Sequence, residues 1–273
     1  ASGDIKAVLL RIALVGFVVE SIGTVLLTSR LFFEYHYGLL DAFWHGLFHS
    51  VSAFNNAGMS LYDNSLVGFD GDPVILLTIS TEVALGSIGF PVLLEVGRHL
   101  YKRIKDKRAR KRIATIMHWS LTSRIVVIGS IILIAFGMLY FGALEWNNPN
   151  TLGPMSFGKK LLNIVVLAVM PRSAGFNAIN IGEMARESWL GMDVLMFIGG
   201  GSGGTAGGLK ITTMAVLLFI VLSEIRNDKA VNIGKRRLPR SVHRQAITLL
   251  FLYAFLLISS TLILQLVTDF STD

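Results

Sequence analysis

Long runs of uncharged residues constrain this chain more than any other feature. Residues 125–144 and 246–268 contain 20 and 23 consecutive residues without a charge. Each run is long enough to cross a hydrocarbon core of about 30 Å as a helix, which satisfies its own backbone hydrogen bonds. Residues 12–29 and 73–96 are nearly as apolar, and residues 194–223 are apolar around a glycine-rich centre. The sequence therefore predicts an all-α, polytopic membrane protein with five crossing segments, one of them broken.

The composition excludes several classes of protein. Only 16% of the residues are charged, whereas a soluble domain carries about 25%. The chain has no cysteine, which excludes a disulfide scaffold and a thiol nucleophile. A membrane enzyme would need acids, bases or metal ligands clustered at one depth, and the sequence offers only the scattered Glu20 and Glu82. We therefore expect neither an enzyme nor a covalently bound cofactor, and we interpret the chain as a piece of a longer protein.

The basic residues predict the orientation. Residues 98–112 and 226–244 hold nine and seven of the 25 lysines and arginines. Both clusters lie directly beside apolar segments, so topology and anionic lipid explain them better than nucleic acid does. By the positive-inside rule both clusters face the cytoplasm. The loop at residues 31–72, with five acids and no lysine or arginine, is expected outside.

Two further apolar segments, residues 42–54 and 161–170, are too short to span a bilayer. Segments of this length are typical of re-entrant helices, although an interfacial helix followed by an ordinary loop remains an alternative. Each runs into a small, glycine-containing stretch. We call residues 54–59 the first glycine loop and residues 171–177 the second glycine loop.

A single offset relates the two loops. Gly58 and Gly175 each follow an alanine, and they are 117 residues apart in the sequence. The same offset aligns Gly86 with Gly203, and it superposes the short apolar segments and, roughly, the two basic clusters. This pattern predicts a duplication in which both copies have the same orientation.

The predicted unit is a membrane helix, a short re-entrant helix, a loop and a second membrane helix. Residues 1–115 form one such unit and residues 116–240 another. Residues 241–273 are expected to be the first helix of a further unit.

The glycine loops have a specific chemical use. Re-entrant backbone cannot face lipid and must line protein or water. Extended backbone with small residues turns carbonyl oxygens toward an axis, where they replace the hydration shell of an alkali cation. Glycine permits backbone angles that a Cβ disfavours. A glycine that only ends a helix is the alternative.

The glycine tract, residues 199–210, interrupts the last membrane segment of the second unit. Seven of its first ten residues are glycine. No strand precedes its G-x-G-x-x-G match, and Leu209 separates Gly208 from Lys210, so neither a dinucleotide site nor a Walker A loop is expected. A helix broken at membrane depth, placed below a cation filter, could act as a gate. A tightly packed glycine helix is the alternative.

Several polar side chains lie within or beside the membrane segments. Glu82 is expected to fix the neighbouring short helix, and Lys210 to contact carbonyl groups of the broken helix, with ion pairing or snorkelling as the alternative. Arg172 would repel a cation unless it points away, so we interpret it as a structural anchor on the outer side. His45 and His49 are four residues apart, and packing is favoured over a metal site.

Together these residues resemble the Trk/Ktr/HKT superfamily of K⁺ transporters. Residues 52–58 and 170–177 look like its filter segments, and residues 199–213 look like its glycine-rich intramembrane loop. The order matches the second and third of that superfamily's four M1–P–M2 units, a helix–pore helix–helix repeat as in K⁺ channels. The resemblance covers essentially the whole chain, and it implies K⁺ uptake across the plasma membrane through a channel-like pore.

The resemblance also implies roles for individual residues. Gly58 and Gly175 would be filter glycines, with the carbonyl groups of Asn56, Ala57, Ser173 and Ala174 as neighbouring K⁺ ligands. The implied gating loop comprises Gly199, Gly200, Gly201, Ser202, Gly203, Gly204, Thr205, Gly207, Gly208 and Lys210. Potassium at the filter carbonyls is the only metal expected, with Na⁺ as a possible cargo.

The resemblance implies partners as well: a homodimer seated on a cytosolic nucleotide-binding ring. A substrate-binding secondary transporter with broken helices is the competing interpretation. It predicts inverted rather than parallel repeats.

Overall fold

The computed structural model describes residues 2–108, 119–172, 174–227, 232–233 and 236–267. The helices are α1 (Ser2–Phe33), α2 (Leu39–Phe54), α3 (Pro73–Ile88), α4 (Phe90–Arg108), α5 (Leu121–Glu145), α6 (Phe157–Val169), α7 (Arg186–Phe197), α8 (Ile211–Ile225) and α9 (Arg240–Val267). Two strands of two residues, β1 (Asn232–Ile233) and β2 (Arg236–Arg237), pair antiparallel, and Val67–Phe69, Met170–Arg172 and Ile181–Glu183 form 3₁₀ turns. The expectation of an all-α chain is confirmed.

Among the described residues, helices α1, α5 and α9 are each long and apolar enough to cross a membrane. A fourth crossing arises if α3 and the first part of α4 count as one, but these two helices meet at an angle of 103°. The prediction of an unbroken crossing over residues 73–96 is therefore wrong.

The bend between α3 and α4 has a local cause. Gly89 lies between the helices with φ +102°, a backbone conformation outside the helical region. Two residues later, Pro91 lacks the N–H group that a helix needs to bond the carbonyl four residues back. Glycine and proline this close together stop α3 at Ile88 and let α4 begin in a new direction.

The second predicted break is confirmed. Helix α7 ends at Phe197, helix α8 begins at Ile211, and the glycine tract between them is not helical. The alternative of a packed glycine helix is wrong. The two short apolar segments are helical as expected, with 16 residues in α2 and 13 in α6.

The chain divides into two compact units, Ala1–Ile211 and Thr212–Asp273. In the first unit, α1 packs against α2 and α3, and α6 packs against α5 and α3. Apolar side chains such as Leu76, Ile79 and Phe176 are buried in this core. The second unit contains most of α8, the small hairpin and α9. Both glycine loops and the glycine tract belong to the first unit.

Candidate functional site

The two glycine loops meet in the structure, although they are more than 100 residues apart in the sequence. Gly58 and Gly175 both have positive φ angles, of +68° and +79°. A Cβ at Gly58 would overlap the carbonyl oxygen of Ala174 and would lie 2.9 Å from the Cα of Gly175. The backbones of the two loops are therefore in direct contact at the residues predicted from the sequence.

The first glycine loop is shaped by the end of α2. Asn56 takes a positive φ of 53° directly after the helix. The N–H of Ala57 donates to the carbonyl of Ser52 at 2.9 Å, and the Ser52 hydroxyl donates to the carbonyl of Met59 at 2.8 Å. These bonds turn the chain back from the helix and present Ala57 and Gly58 on the outside of the turn.

The second glycine loop follows α6 in the same way. The N–H groups of Ala174 and Gly175 both point to the carbonyl of Met170, at 3.0 and 3.4 Å. Asn177 then connects this loop to the segment between α2 and α3. Its N–H donates to the Ser65 hydroxyl at 3.1 Å, and its carbonyl accepts from the Leu66 N–H at 2.8 Å. Ser173, a predicted ligand, lies outside the described residues.

A cavity of about 350 Å³ lies beside the loops. Ala57, Ala174 and Gly175 line it, together with mostly apolar side chains of α6 and α7. Ala57 and Gly175 are exposed, whereas Ala174 is buried beneath them. Backbone of both loops thus reaches one common open space.

The glycine tract folds back on itself between α7 and α8. The N–H of Leu209 donates to the carbonyl of Phe197 at 3.0 Å, and the N–H of Gly199 donates to the carbonyl of Leu209 at the same distance. The Lys210 ammonium group donates to the Ala206 carbonyl at 2.5 Å. A carbonyl contact for Lys210 was expected from the sequence.

The tract also contacts the bend between α3 and α4. The N–H of Gly201 donates to the Ser87 carbonyl at 2.7 Å, and the N–H of Phe90 donates to the Gly203 carbonyl at 3.1 Å. A Cβ at Gly89 would lie 2.6 Å from the carbonyl oxygen of Ser202. The two interrupted segments of the chain are therefore packed against each other.

Thr205 joins the tract to the first glycine loop. Its hydroxyl donates to the Phe54 carbonyl at 3.0 Å and accepts from the Asn56 side-chain amide at 2.8 Å. This side-chain contact was not predicted, because Asn56 was expected to supply only a backbone carbonyl.

Three charged side chains contact the short helices α2 and α6 or the residues that follow them. Glu82 of α3 is 3% exposed, and its Oε1 lies 2.5 Å from the Ser50 hydroxyl of α2. The Asn55 side chain donates to Glu20 of α1 at 2.8 Å. Arg172 is 2% exposed, and its Nη2 lies 3.3 Å from the Ser130 hydroxyl of α5. Each charge thus connects a short helix, or the turn that follows it, to a neighbouring helix.

His49 is buried, with both ring nitrogens in hydrogen-bonding positions. Nδ1 lies 2.7 Å from the His45 carbonyl, and Nε2 lies 3.1 Å from the Ser60 hydroxyl. The ring also stacks on Tyr62, with centroids 4.9 Å apart. These contacts connect α2 to the segment after the first glycine loop.

Two carboxylates without a role in the sequence-based predictions connect the ends of neighbouring helices. Asp72 caps α3 by accepting from the Val74 N–H at 2.9 Å, and it pairs with Arg30 of α1 at 2.7 Å. Glu145, at the end of α5, is fully buried and accepts from the Ser188 hydroxyl at 2.5 Å and the Ala185 N–H at 2.9 Å. Each fixes the end of one helix to the start of another.

Residues 2–272 match the family model described as TrkH, a cation transport protein. The Ktr system potassium uptake protein B of Bacillus subtilis is 37% identical over 218 residues, which are 80% of this chain and 45% of that protein. The protein of the same name from Vibrio alginolyticus is 30% identical over 99% of this chain and 56% of its own length.

The potassium/sodium uptake protein NtpJ of Enterococcus hirae is 28% identical over 97% of this chain and 54% of its own length. In structure, the chain is similar to the potassium transporter TrkH from Vibrio parahaemolyticus, with a TM-score of 0.65, 17% identity, and coverage of 82% of this chain and 45% of that one. The chain thus spans about half the length of the relatives it matches.

Proposed function

The chain belongs to the TrkH family of cation transport proteins, and from that premise we propose that it forms part of the membrane subunit of a K⁺ uptake system. The potassium uptake proteins among its relatives support this cargo. The relative named for both potassium and sodium makes Na⁺ the competing cation. The family description also agrees with the expectation of a transporter rather than an enzyme.

The convergence of the two glycine loops carries the proposal. In it, the carbonyl groups of Asn56, Ala57 and Gly58 face the transported ion together with those of Ser173, Ala174 and Gly175. Backbone oxygens can replace the hydration shell of K⁺ only if several loop segments present them to one space. The positive φ angles of Gly58 and Gly175 and the cavity beside them support this arrangement.

The glycine tract is the proposed gate. It is non-helical between α7 and the apolar helix α8, and it contacts the first glycine loop through Thr205 and Asn56. A segment that lines the ion path and has few side chains can move aside without opening a cavity in a packed core. The residues proposed to act in this way are those from Gly199 to Lys210 that the sequence analysis named.

The surrounding architecture is proposed from the repeat. Residues 1–115 and 116–240 form two M1–P–M2 units, and residues 241–273 begin a further one. The filter loops open to the outside of the plasma membrane, whereas residues 98–112 and 226–244 face the cytoplasm and anionic lipid. A second copy of the subunit and a cytosolic nucleotide-binding ring are the proposed partners.

Uptake of Rb⁺ by cells that cannot accumulate K⁺ tests the proposal, with the full-length protein expressed. Gly175→Ser is expected to lower uptake at least several-fold, because a side chain at φ +79° is strained. Gly158→Ser is the matched control, since it lies in α6 with no atom near its Cβ position. Uptake by Gly175→Ser equal to that of the control would contradict the filter and favour the binding-site transporter.

A further inference from the structure

The break between α3 and α4 leaves two carbonyl groups without helical partners. In a continuous helix, the carbonyl of Ser87 would accept from the N–H of residue 91, and that of Gly86 from residue 90. Residue 91 is proline and has no N–H. The N–H of Phe90 is turned away and donates to the Gly203 carbonyl at 3.1 Å. Both carbonyls therefore need a donor from elsewhere.

The glycine tract supplies both donors. The Gly201 N–H bonds the Ser87 carbonyl at 2.7 Å, and the Thr205 N–H bonds the Gly86 carbonyl at 3.1 Å. Ser87, Gly86 and Gly201 are buried, so that these groups would be costly to leave unpaired. The exchange is reciprocal, because α4 gives one donor to the tract and α3 receives two.

The fit between the bend and the tract is also steric. A Cβ at Gly201 would overlap the carbonyl of Ile88, and a Cβ at Gly204 would lie 2.8 Å from the carbonyl of Gly86. Gly203 adopts a φ of +76°, and the ring of Pro91 would lie 3.1 Å from a Cβ there. Glycine in the tract is therefore required by its contact surface as well as by its backbone angles.

Thr205 extends the same contact to the first glycine loop. Its backbone N–H bonds the bend, while its hydroxyl bonds the Phe54 carbonyl at 3.0 Å and accepts from Asn56 at 2.8 Å. One residue of the proposed gate thus contacts both the helix break and the proposed filter. A movement that carries Thr205 away from the bend breaks the bonds to the loop as well.

We propose that the break between α3 and α4 is a docking site that holds the glycine tract in its non-conducting position. In this proposal, Thr205 couples that position to the first glycine loop. The inference rests on the proposed function, because it assigns the tract as the gate. Pro91 is a positioning residue in this scheme: it keeps the Ser87 carbonyl available to Gly201. Residues of the first predicted repeat thereby control a segment of the second.

Pro91→Ala tests the docking site directly. The alanine N–H competes with Gly201 for the Ser87 carbonyl, so that the tract is released more readily. Since one hydrogen bond is at stake, we expect Rb⁺ uptake to rise about three- to tenfold at equal protein level. Pro73→Ala is the matched control, because Pro73 is the first residue of α3, where no helical N–H is needed. Unchanged or lower uptake by Pro91→Ala would overturn the proposal of a docking site.

Thr205→Val tests the coupling and keeps the inference testable if Pro91→Ala fails to fold. Valine retains the shape of threonine but loses both hydroxyl bonds. We expect the ratio of Rb⁺ to Na⁺ uptake to fall about three- to tenfold, whereas Thr205→Ser, which restores the hydroxyl, keeps the ratio. A purely structural role would lower the amount of protein and leave the ratio unchanged, and that outcome would contradict the coupling.

The two levels of the scheme fail in different ways. If the unmodified protein takes up no Rb⁺, or if Gly175→Ser is without effect, the proposed function is wrong. If both of those tests succeed while Pro91→Ala and Thr205→Val behave like the unmodified protein, the proposed filter is retained and only the proposed docking site is wrong.

Discussion

The two glycine loops end alike in sequence but are held differently in the structure. A Cβ at Gly58 would overlap the Ala174 carbonyl, whereas a Cβ at Gly175 would find its nearest neighbour, the Cα of Gly58, at 3.5 Å. Gly58 is therefore required by both space and conformation, and Gly175 in this unit by its φ of +79°. Equivalent positions in a repeated motif can thus be glycine for unequal reasons.

The junction between α1 and α3 also differs from the junction between α5 and α7. Between α1 and α3, Asp72 lies at the start of the later helix and reaches back to Arg30. Between α5 and α7, Glu145 lies at the end of the earlier helix and receives donors from Ser188 and Ala185. One junction is made with an ion pair, and the other with a buried carboxylate among neutral donors. Similar architecture does not require corresponding residues.

The largest expected effect is that of alanine at the two glycines. Gly58→Ala should lower Rb⁺ uptake more than tenfold, because it combines a steric overlap with the strain of about 1–2 kcal/mol that a left-handed residue carries. Gly175→Ala adds the strain without the overlap and should lower uptake less. Rb⁺ uptake at matched protein levels measures both. Equal losses would show that crowding around the two loops is the same.

Glu145→Gln should cause the largest loss of stability. The carboxylate accepts from Ser188, Ala185, Thr151 and Asn148, and glutamine would place an NH₂ group against some of these donors. A buried donor left unpaired costs about 1–3 kcal/mol. Thermal unfolding of the purified protein in detergent should show a clear decrease in Tm. An unchanged Tm would mean that the buried carboxylate is dispensable for the α5–α7 junction.

Asp72→Asn should destabilise less than Glu145→Gln. Asparagine also caps helices, so its Oδ1 retains the bond to the Val74 N–H. Its NH₂ group replaces the oxygen that accepts from Arg30 and Tyr35, but both of these residues are only partly buried and can turn to water. The same unfolding measurement, repeated at high salt, separates the contribution of the Asp72–Arg30 ion pair from that of the buried hydrogen bonds to Glu145. Salt should reduce the difference between Asp72→Asn and the unmodified protein, and it should leave that of Glu145→Gln in place.

Tyr35 gives the smallest expected effect, and it is confined to alkaline pH. Its hydroxyl donates to Asp72 at 3.1 Å, and burial, followed by the nearby Asp72 charge, raises the pKa of Tyr35 from 10.0 to about 12. The neutral phenol therefore contributes stability that is fully present below pH 10 and is lost as the pH rises through 12. Tyr35→Phe should weaken the dependence of Tm on pH in this interval. An identical pH profile in both proteins would contradict the assignment.

Much of the candidate site follows from local signals in the sequence. The charge-free runs predicted the all-α fold, the short helices α2 and α6 were found from the length of their apolar segments, and the glycine content predicted the break between α7 and α8. The offset between the two Ala-Gly pairs singled out Gly58 and Gly175, which the structure brings into contact. The duplication itself, the orientation in the membrane and the boundaries at residues 115 and 240 stay predictions.

The bend at Gly89 was missed because hydropathy was the only property used there. Residues 73–96 are apolar enough to cross a bilayer, and hydropathy does not respond to a single backbone angle. The pair Gly89 and Pro91 was the available signal, since glycine followed closely by proline interrupts a helix. Asn56 and Thr205, by contrast, left no sequence signal of their contact, because they are 149 residues apart.

The sequence alone determined that this chain is helical, apolar enough for a membrane and interrupted at glycine-rich points, because these properties depend on residues within one or two helical turns. Only the tertiary structure decided which interruptions meet. The free carbonyls at Gly86 and Ser87 need donors, and nothing near them in the chain identifies Thr205 and Gly201 as those donors. Hydrogen bonds between distant segments depend on the position of each backbone group in space, and packing fixes those positions.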